Sequence, residues 1–164
     1  MTDPLLHVFR FRIDFYADYV DVGDPEGYTP VCSGQFSECS GIEATMEPKA
    51  IREGGRNYGD HQRAGRVTFG TVILKRGITP SQHLWKWFDL VAGGKTAIRL
   101  HARLVHLAMG QDPASRSGVL EWQMRNALPT KFRAATYDAT AREVGVEELH
   151  FVHEGLQLQQ GAAS

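Results

Sequence analysis

The stretch HVFRFRIDF, residues 7–15, alternates apolar and polar side chains along its length. Its apolar members are Phe9, Phe11, Ile13 and Phe15, and its charged members are Arg10, Arg12 and Asp14. Successive side chains of a β-strand point to opposite faces, so this period of two predicts a strand with one buried face and one solvated face. The fold is therefore expected to be built around a sheet.

Further strand patterns follow along the chain. Residues 96–107 and 119–125 alternate in the same way, and the loop between them, residues 109–118, predicts that they pair as a meander. Shorter strand-forming segments lie at residues 36–42, 67–75 and 144–158. The chain is therefore predicted to be mainly β.

One helix is predicted, over residues 79–93. Thr79 is a favourable N-cap, Pro80 suits the first helical position, and Gln82 completes a capping box. Trp85 and Trp87 widen an apolar face that is expected to belong to the core, and Gly93 with Gly94 ends the helix. Many strands and one helix predict an α+β, mainly β fold: a β-barrel or sandwich with one flanking helix.

Residues 1–164 are expected to form a single domain. Within it, residues 16–31 carry several carboxylates and no basic side chain, which predicts an acidic surface loop; a calcium site is the alternative, but the usual ladder of ligands is missing. Residues 157–164 are predicted to be a polar tail.

A long polar stretch, residues 43–66, is predicted to form an extended β-hairpin. Its turn region contains Arg52, Glu53, Gly54, Gly55, Arg56, Asn57 and Tyr58. Glycine and asparagine tolerate the positive φ angles of tight turns. A polar hairpin has little to bury inside a monomer, and isolated hairpins are marginal in water. We therefore expect this hairpin to require a partner.

The sequence contains no familiar catalytic or nucleotide-binding motif, so neither enzyme activity nor a cofactor is expected. His150 and His153 would lie on opposite faces of a strand, which disfavours a metal site. Cys32 and Cys39 are expected to be isolated thiols. The net charge of −1 gives no support for nucleic-acid binding, and no apolar run predicts a membrane anchor, so the protein is expected to be made in the cytoplasm.

A set of segments follows in a fixed order along the chain: FSECSGI (36–42), REGGRN (52–57), LKRGIT (74–79) leading into LWKW (84–87), Trp122, NALPTK (126–131) and EELHFVHEG (147–155). Taken together, they resemble the tail tube proteins of contractile-tailed phages and of extracellular contractile injection systems. No single segment is decisive, but their shared order and spacing are specific, and they cover nearly the whole chain.

The resemblance implies a structural subunit that assembles as a homo-hexamer, whose rings stack into a hollow tube inside a contractile sheath. The hairpin of residues 43–66 would complete a barrel around the lumen with its neighbours, and Arg52, Glu53, Arg56 and Asn57 would pair between subunits or rings. Partners would be the sheath protein, baseplate and tube-terminating proteins, and a lumen cargo, either a protein effector or DNA. The finished particle would be a virion tail or an extracellular injection particle.

The charges of the hairpin are nearly balanced in number. The acidic members are Glu43, Glu47, Glu53 and Asp60, and the basic members are Lys49, Arg52, Arg56, Arg63 and Arg66. Counted in this way, the lumen lining favours no class of cargo.

Three alternatives remain at this point. The loop of residues 16–31 distinguishes this chain from the shortest family members and is compatible with a baseplate-proximal tube initiator. A small barrel enzyme that binds flavin would instead have a concave apolar pocket. A nucleic-acid-binding barrel would have a clustered basic face and steeply salt-dependent binding.

Overall fold

A computed structural model of the chain describes residues 5–17, 32–95, 97–115 and 118–160, with the backbone alone at residues 32–34. This described part of the chain is mainly β with one helix. The elements are β1 (Phe11–Tyr16), β2 (Cys32–Gly34), β3 (Glu38–Ser40), β4 (Ala44–Ile51), β5 (His61–Phe69), β6 (Val72–Gly77), α1 (His83–Ala92), β7 (Leu100–His106), β8 (Leu120–Arg133), β9 (Val146–Val152) and β10 (Gly155–Gln160).

Eight of the strands form one antiparallel sheet in the order β2-β1-β7-β8-β9-β6-β3, with β10 added beside β8. The predicted meander of β7 and β8 is confirmed. The first half of β8 lies between β7 and β10, and its second half pairs with β9. Asn126, with φ of 51°, lies between the two halves. β8 therefore joins two half-sheets, which do not close into a barrel within the described residues.

The core lies between these half-sheets and the helix. Phe15 of β1 and Phe151 of β9 meet edge to face with ring centroids 5.8 Å apart. Trp87 of α1 packs against both rings, at 5.1 Å from Phe15 and 6.4 Å from Phe151. Aromatic rings at these separations contribute packing energy beyond their buried area. The helix thus covers the seam between the half-sheets.

The first strand is confirmed but begins at Phe11, and Phe9 before it is 64% exposed. The prediction that Asp14 faces solvent is wrong, because its residue is 2% exposed. Arg12 compensates this buried carboxylate: its Nε lies 2.9 Å from Asp14 Oδ2, and its Nη1 donates to Pro113 O at 2.6 Å. Buried charges persist in proteins when they are paired, and this pair also attaches the loop after β7 to the sheet.

The helix is confirmed, but its predicted start is wrong. It begins after Gln82, which has a left-handed φ of 50° and makes no side-chain capping bond to the helix. Instead, Gln82 Nε2 donates to the carbonyl of Thr79 at 2.7 Å, which stabilises the turn before the helix. Trp87 is buried as expected, whereas Trp85 is 43% exposed and rests on Phe132 of β8.

The predicted polar tail is wrong in its first half. Residues 157–160 belong to β10, where Gln157 pairs with Gln123 and Gln160 with Leu120 of β8. Residues 161–164 lie outside the described residues, as does most of the predicted acidic loop of residues 16–31; its first residue, Tyr16, is buried at the end of β1.

Candidate assembly surface

The hairpin of β4 and β5 lies apart from the main sheet as a two-stranded sheet of its own. All its strand residues are exposed except Ile51 and Phe69, which are half-buried. At the base, the amide of Gly70 donates to the carbonyl of Glu43 at 3.1 Å and holds the two arms together. Among the described strands, β4 and β5 pair only with each other, so each leaves one backbone edge without a partner strand.

One face of the hairpin is apolar. The register places Ala44 opposite Phe69, Met46 opposite Val67 and Pro48 opposite Ala64, and Ala50 with Gln62 follows towards the tip. Met46 is 52% and Val67 42% exposed. Directly opposed side chains lie on the same face of an antiparallel pair. The hairpin is therefore amphipathic, and the prediction that it is largely polar is wrong for this face.

The other face is polar and largely basic. Its members are Thr45, Glu47, Lys49 and Ile51 of β4 and His61, Arg63, Arg66 and Thr68 of β5. Lys49 lies directly opposite Arg63. The hairpin thus separates its apolar and charged side chains completely between its two faces, apart from Ile51 near the tip.

A β-bulge at Gly65 keeps the apolar side chains of β5 on the same face as those of β4. Between the pairs Met46–Val67 and Pro48–Ala64, β5 contains one more residue than β4. A side chain at Gly65 would bring its Cβ to 2.0 Å from the carbonyl oxygen of Glu47, so only glycine allows the two backbones to approach this closely. The extra residue returns Ala64 to the apolar face.

The predicted site residues, 52–58, form the turn at the hairpin tip. Gly55 has φ of 89°, so the positive φ expected of this turn is present there. Glu53 Oε2 accepts from His61 Nε2 at 3.1 Å, and Arg56 Nη1 donates to His61 Nδ1 at 3.1 Å. Nε of Arg52 lies 3.7 Å from Oδ2 of Asp60.

The remaining members of the tip are exposed. Asn57 is exposed and Gly54 has open space around it. Tyr58 is 93% exposed. The turn is thus held together by hydrogen bonds and a salt bridge within one subunit. Its pairing with other subunits stays a prediction.

The base of the hairpin rests on a buried histidine. The ring of Phe69 lies 5.0 Å from that of His153, which follows β9. Nδ1 of His153 donates to the carbonyl of Gly155 at 3.0 Å, while its buried Nε2 has no hydrogen-bond partner among the described residues. Burial lowers the pKa of His153 below its ordinary value of 6.5. The neutral ring therefore supports the hairpin at neutral pH.

The other groups considered as candidate ligands, the histidine pair and Cys39, are explained by their place in the fold. His150 pairs with Glu148 beside it on β9 rather than with His153. Burial, followed by the charge of Glu38, raises the pKa of the free thiol Cys39 to about 12. Within residues 5–17, 32–95, 97–115 and 118–160, no cluster of His, Cys, Asp and Glu could hold a metal ion. No helix there is long and apolar enough to span a membrane.

A family model described as T4-like virus tail tube protein gp19 matches residues 7–157. No curated protein sequence matches the chain. Among solved structures, a chain of the six-fold symmetrised anti-feeding prophage baseplate has a TM-score of 0.75 at 23% identity, with 98% of both chains covered.

Two more structures have the same fold. A chain of the PVC sheath–tube complex, an extracellular contractile injection system in the extended state, has a TM-score of 0.72 at 17% identity, covering 95% of this chain and 92% of that one. A chain of the anti-feeding prophage tube-terminating cap has a TM-score of 0.68 at 17% identity, covering 98% and 94%.

Proposed function

Because this chain belongs to the T4-like virus tail tube protein gp19 family, we propose that it is the repeating subunit of the inner tube of a contractile tail or injection system. Six copies close into a ring, and rings stack into a hollow tube. Residues 1–164 form the single tube domain, with residues 43–66 as its assembly hairpin. The family consists of structural tube proteins, so the protein acts mechanically and not as an enzyme.

The observation that carries this proposal is the amphipathic hairpin. Two free strand edges and an exposed apolar face are unfavourable on an isolated protein, because unpaired edges and apolar patches promote association. Pairing of β4 in one subunit with β5 in the next satisfies both edges at once. A cyclic arrangement repeats that contact until no edge remains.

The two faces of the hairpin fix its orientation in such a ring. The face with Met46 and Val67 is apolar and turns outwards against protein, where its burial stabilises the ring. The face with Lys49 and Arg63 turns inwards to the water of the lumen. The exposed tip around Tyr58 is then available for contacts between subunits or between rings.

The partners and the location of the subunit follow from this role. The outer surface of the tube contacts the sheath protein, and its ends contact baseplate and tube-terminating proteins. Solved structures of this fold include a sheath–tube complex, a baseplate and a tube-terminating cap. The subunit is made in the cytoplasm and becomes part of a virion tail or an extracellular particle, and a cargo occupies the lumen.

Electron microscopy of the purified protein tests the proposal, together with light scattering. We expect six-fold rings or hollow tubes from the wild-type chain, and neither from a variant that lacks residues 53–59. Thermal unfolding of the variant must match the wild type, since the deleted turn is exposed and the hydrogen bonds of Glu53 and Arg56 are made to His61 of the same hairpin.

The form of the assemblies separates the two roles in the machine. Tubes of many rings support the main tube subunit, whereas rings that do not stack support a baseplate-proximal initiator. A wild-type protein that remains monomeric at every concentration up to its solubility limit contradicts both roles.

A further inference from the structure

The charges of the hairpin are divided unequally between its faces. The polar face contains the basic side chains Lys49, Arg63 and Arg66 and one acidic side chain, Glu47, whereas the apolar face of the strands contains no charge. Counting charges along residues 43–66 hides this difference, because it mixes the strands with the tip and with Glu43, which precedes β4 at the base of the hairpin. When the register assigns each residue to a face, the strands alone place an excess of positive charge on one surface.

The tip does not cancel this excess. Its two carboxylates are already engaged, Glu53 with His61 and Asp60 near Arg52. Neither Lys49 nor Arg63 has a salt-bridge partner among the described residues. The basic charge of the strands therefore remains available to a ligand.

The pairing of Lys49 with Arg63 is itself unfavourable. Like charges that lie directly opposite each other destabilise an antiparallel strand pair. Here both charges lie on exposed strand residues, directly opposite each other. A negatively charged ligand on this face would remove the repulsion and gain from both charges.

We propose that the basic face of the hairpin binds acidic polypeptide segments of a cargo protein inside the assembled tube. This inference rests on the proposed function, because the ring brings the basic faces of all subunits around one lumen. A channel lined by one sign of charge concentrates its field and attracts ligands of the opposite sign. The interaction weakens as salt screens these exposed charges.

The composition of the face favours a polypeptide over a nucleic acid. Proteins that bind single-stranded nucleic acids combine positive charge with aromatic side chains on which bases stack. The basic face contains no Trp, Tyr or Phe, and Glu47 would repel a continuous chain of phosphates. Separated carboxylates on a polypeptide can contact Lys49 and Arg63 while avoiding Glu47.

The test uses assembled wild-type tubes or rings, verified by electron microscopy, and three fluorescent probes: polyglutamate, polylysine and a single-stranded DNA oligonucleotide of similar length. Probe that sediments with the assemblies is measured at about 0.05 M and about 0.5 M salt. We expect polyglutamate to be retained at low salt and released at high salt, and the other two probes to be retained at least tenfold less.

Variants of the basic face test whether polyglutamate binds to the hairpin. Lys49→Glu with Arg63→Glu reverses the face, and Lys49→Gln with Arg63→Gln neutralises it without new repulsion if the first variant fails to assemble. Lys86→Glu with Arg142→Glu is the matched control, since both residues are exposed and lie outside the hairpin. We expect at least a tenfold loss of polyglutamate in the hairpin variants and no loss in the control.

The outcomes separate this inference from the proposed function. Assemblies that retain polyglutamate and polylysine equally, or that lose polyglutamate equally in the control, overturn the acidic-cargo inference alone. DNA retained as strongly as polyglutamate overturns the choice of a polypeptide. A wild-type protein that forms no rings overturns the inference together with the proposed function.

Discussion

Replacing Met46 and Val67 by glutamine tests which face of the hairpin is buried on assembly. These two side chains oppose each other on the apolar face and are 52% and 42% exposed in the single subunit. Thr45 and Thr68 oppose each other one position along, on the polar face. The double variants Met46→Gln with Val67→Gln and Thr45→Gln with Thr68→Gln therefore place the same new side chains on opposite faces of the same strands.

The expected magnitude follows from the area that remains to be buried. Full burial of a Val or Met side chain contributes about 1.5–3 kcal/mol. With about half of each side chain still exposed, closing the ring over the pair would contribute about 2 kcal/mol per subunit. Since 1.4 kcal/mol corresponds to a tenfold change in an equilibrium constant, the Met46/Val67 variant should weaken each subunit contact by about thirtyfold.

The assay is the protein concentration at which light scattering first detects assemblies, with electron microscopy to identify them. We expect this concentration to rise at least tenfold for the Met46/Val67 variant and to stay within about threefold for the Thr45/Thr68 variant. Urea unfolding of the unassembled variants should remain within about 0.5 kcal/mol of the wild type, because all four positions are exposed. Equal shifts for the two double variants would refute the assignment of the faces.

Three further predictions concern the subunit itself. Glu147→Ala should destabilise it by about 3–5 kcal/mol in urea unfolding, because it leaves the buried Arg76 without the carboxylate that lies 2.5 Å from its Nε; Glu147→Leu combined with Arg76→Met should recover most of that loss. Burial lowers the pKa of His153, so the native state binds fewer protons than the unfolded state, and stability that is complete above pH 6.5 should be lost as the pH falls from 6.5 towards the lowered pKa. His153→Asn should flatten this loss, and an unchanged pH profile would assign it elsewhere. Cys39, whose pKa burial raises to about 12, should react with a thiol reagent at pH 8 much more slowly in the native than in the urea-unfolded chain, and equal rates would contradict its burial.

Local patterns predicted much of this fold because they depend on short-range geometry. The alternation around Ile13 and Phe15 predicted β1, and both residues are fully buried. The helix was predicted from its apolar spacing, but its start was misplaced because Thr79 and Gln82 satisfy capping statistics while the chain uses a left-handed Gln82 instead. Start signals describe what a residue can do, whereas the left-handed backbone of Gln82 places the start of the helix at His83.

The sequence pattern did not predict the two faces of the hairpin, for a specific reason. The segment ATMEPKA of β4 alternates regularly, which is a readable signal. On β5, however, Ala64 and Val67 are three residues apart, because the bulge at Gly65 shifts the phase of the alternation. A period of two therefore fails on that strand, and the hairpin reads as polar throughout. The site residues of the tip, by contrast, were placed correctly in the turn by their glycines.

The sequence by itself predicted a mainly β chain with a helix before Gly93 and an extended hairpin, and its ordered segments resemble those of tail tube proteins. These features follow from periodicity, turn chemistry and residue order, which need no knowledge of distant contacts. Only the tertiary structure decided that Asp14 is buried beside Arg12, that β8 joins two half-sheets at Asn126, and that the hairpin separates apolar from basic side chains. Each of these depends on which strands pair and in which register, and register is set by contacts between residues far apart in the chain.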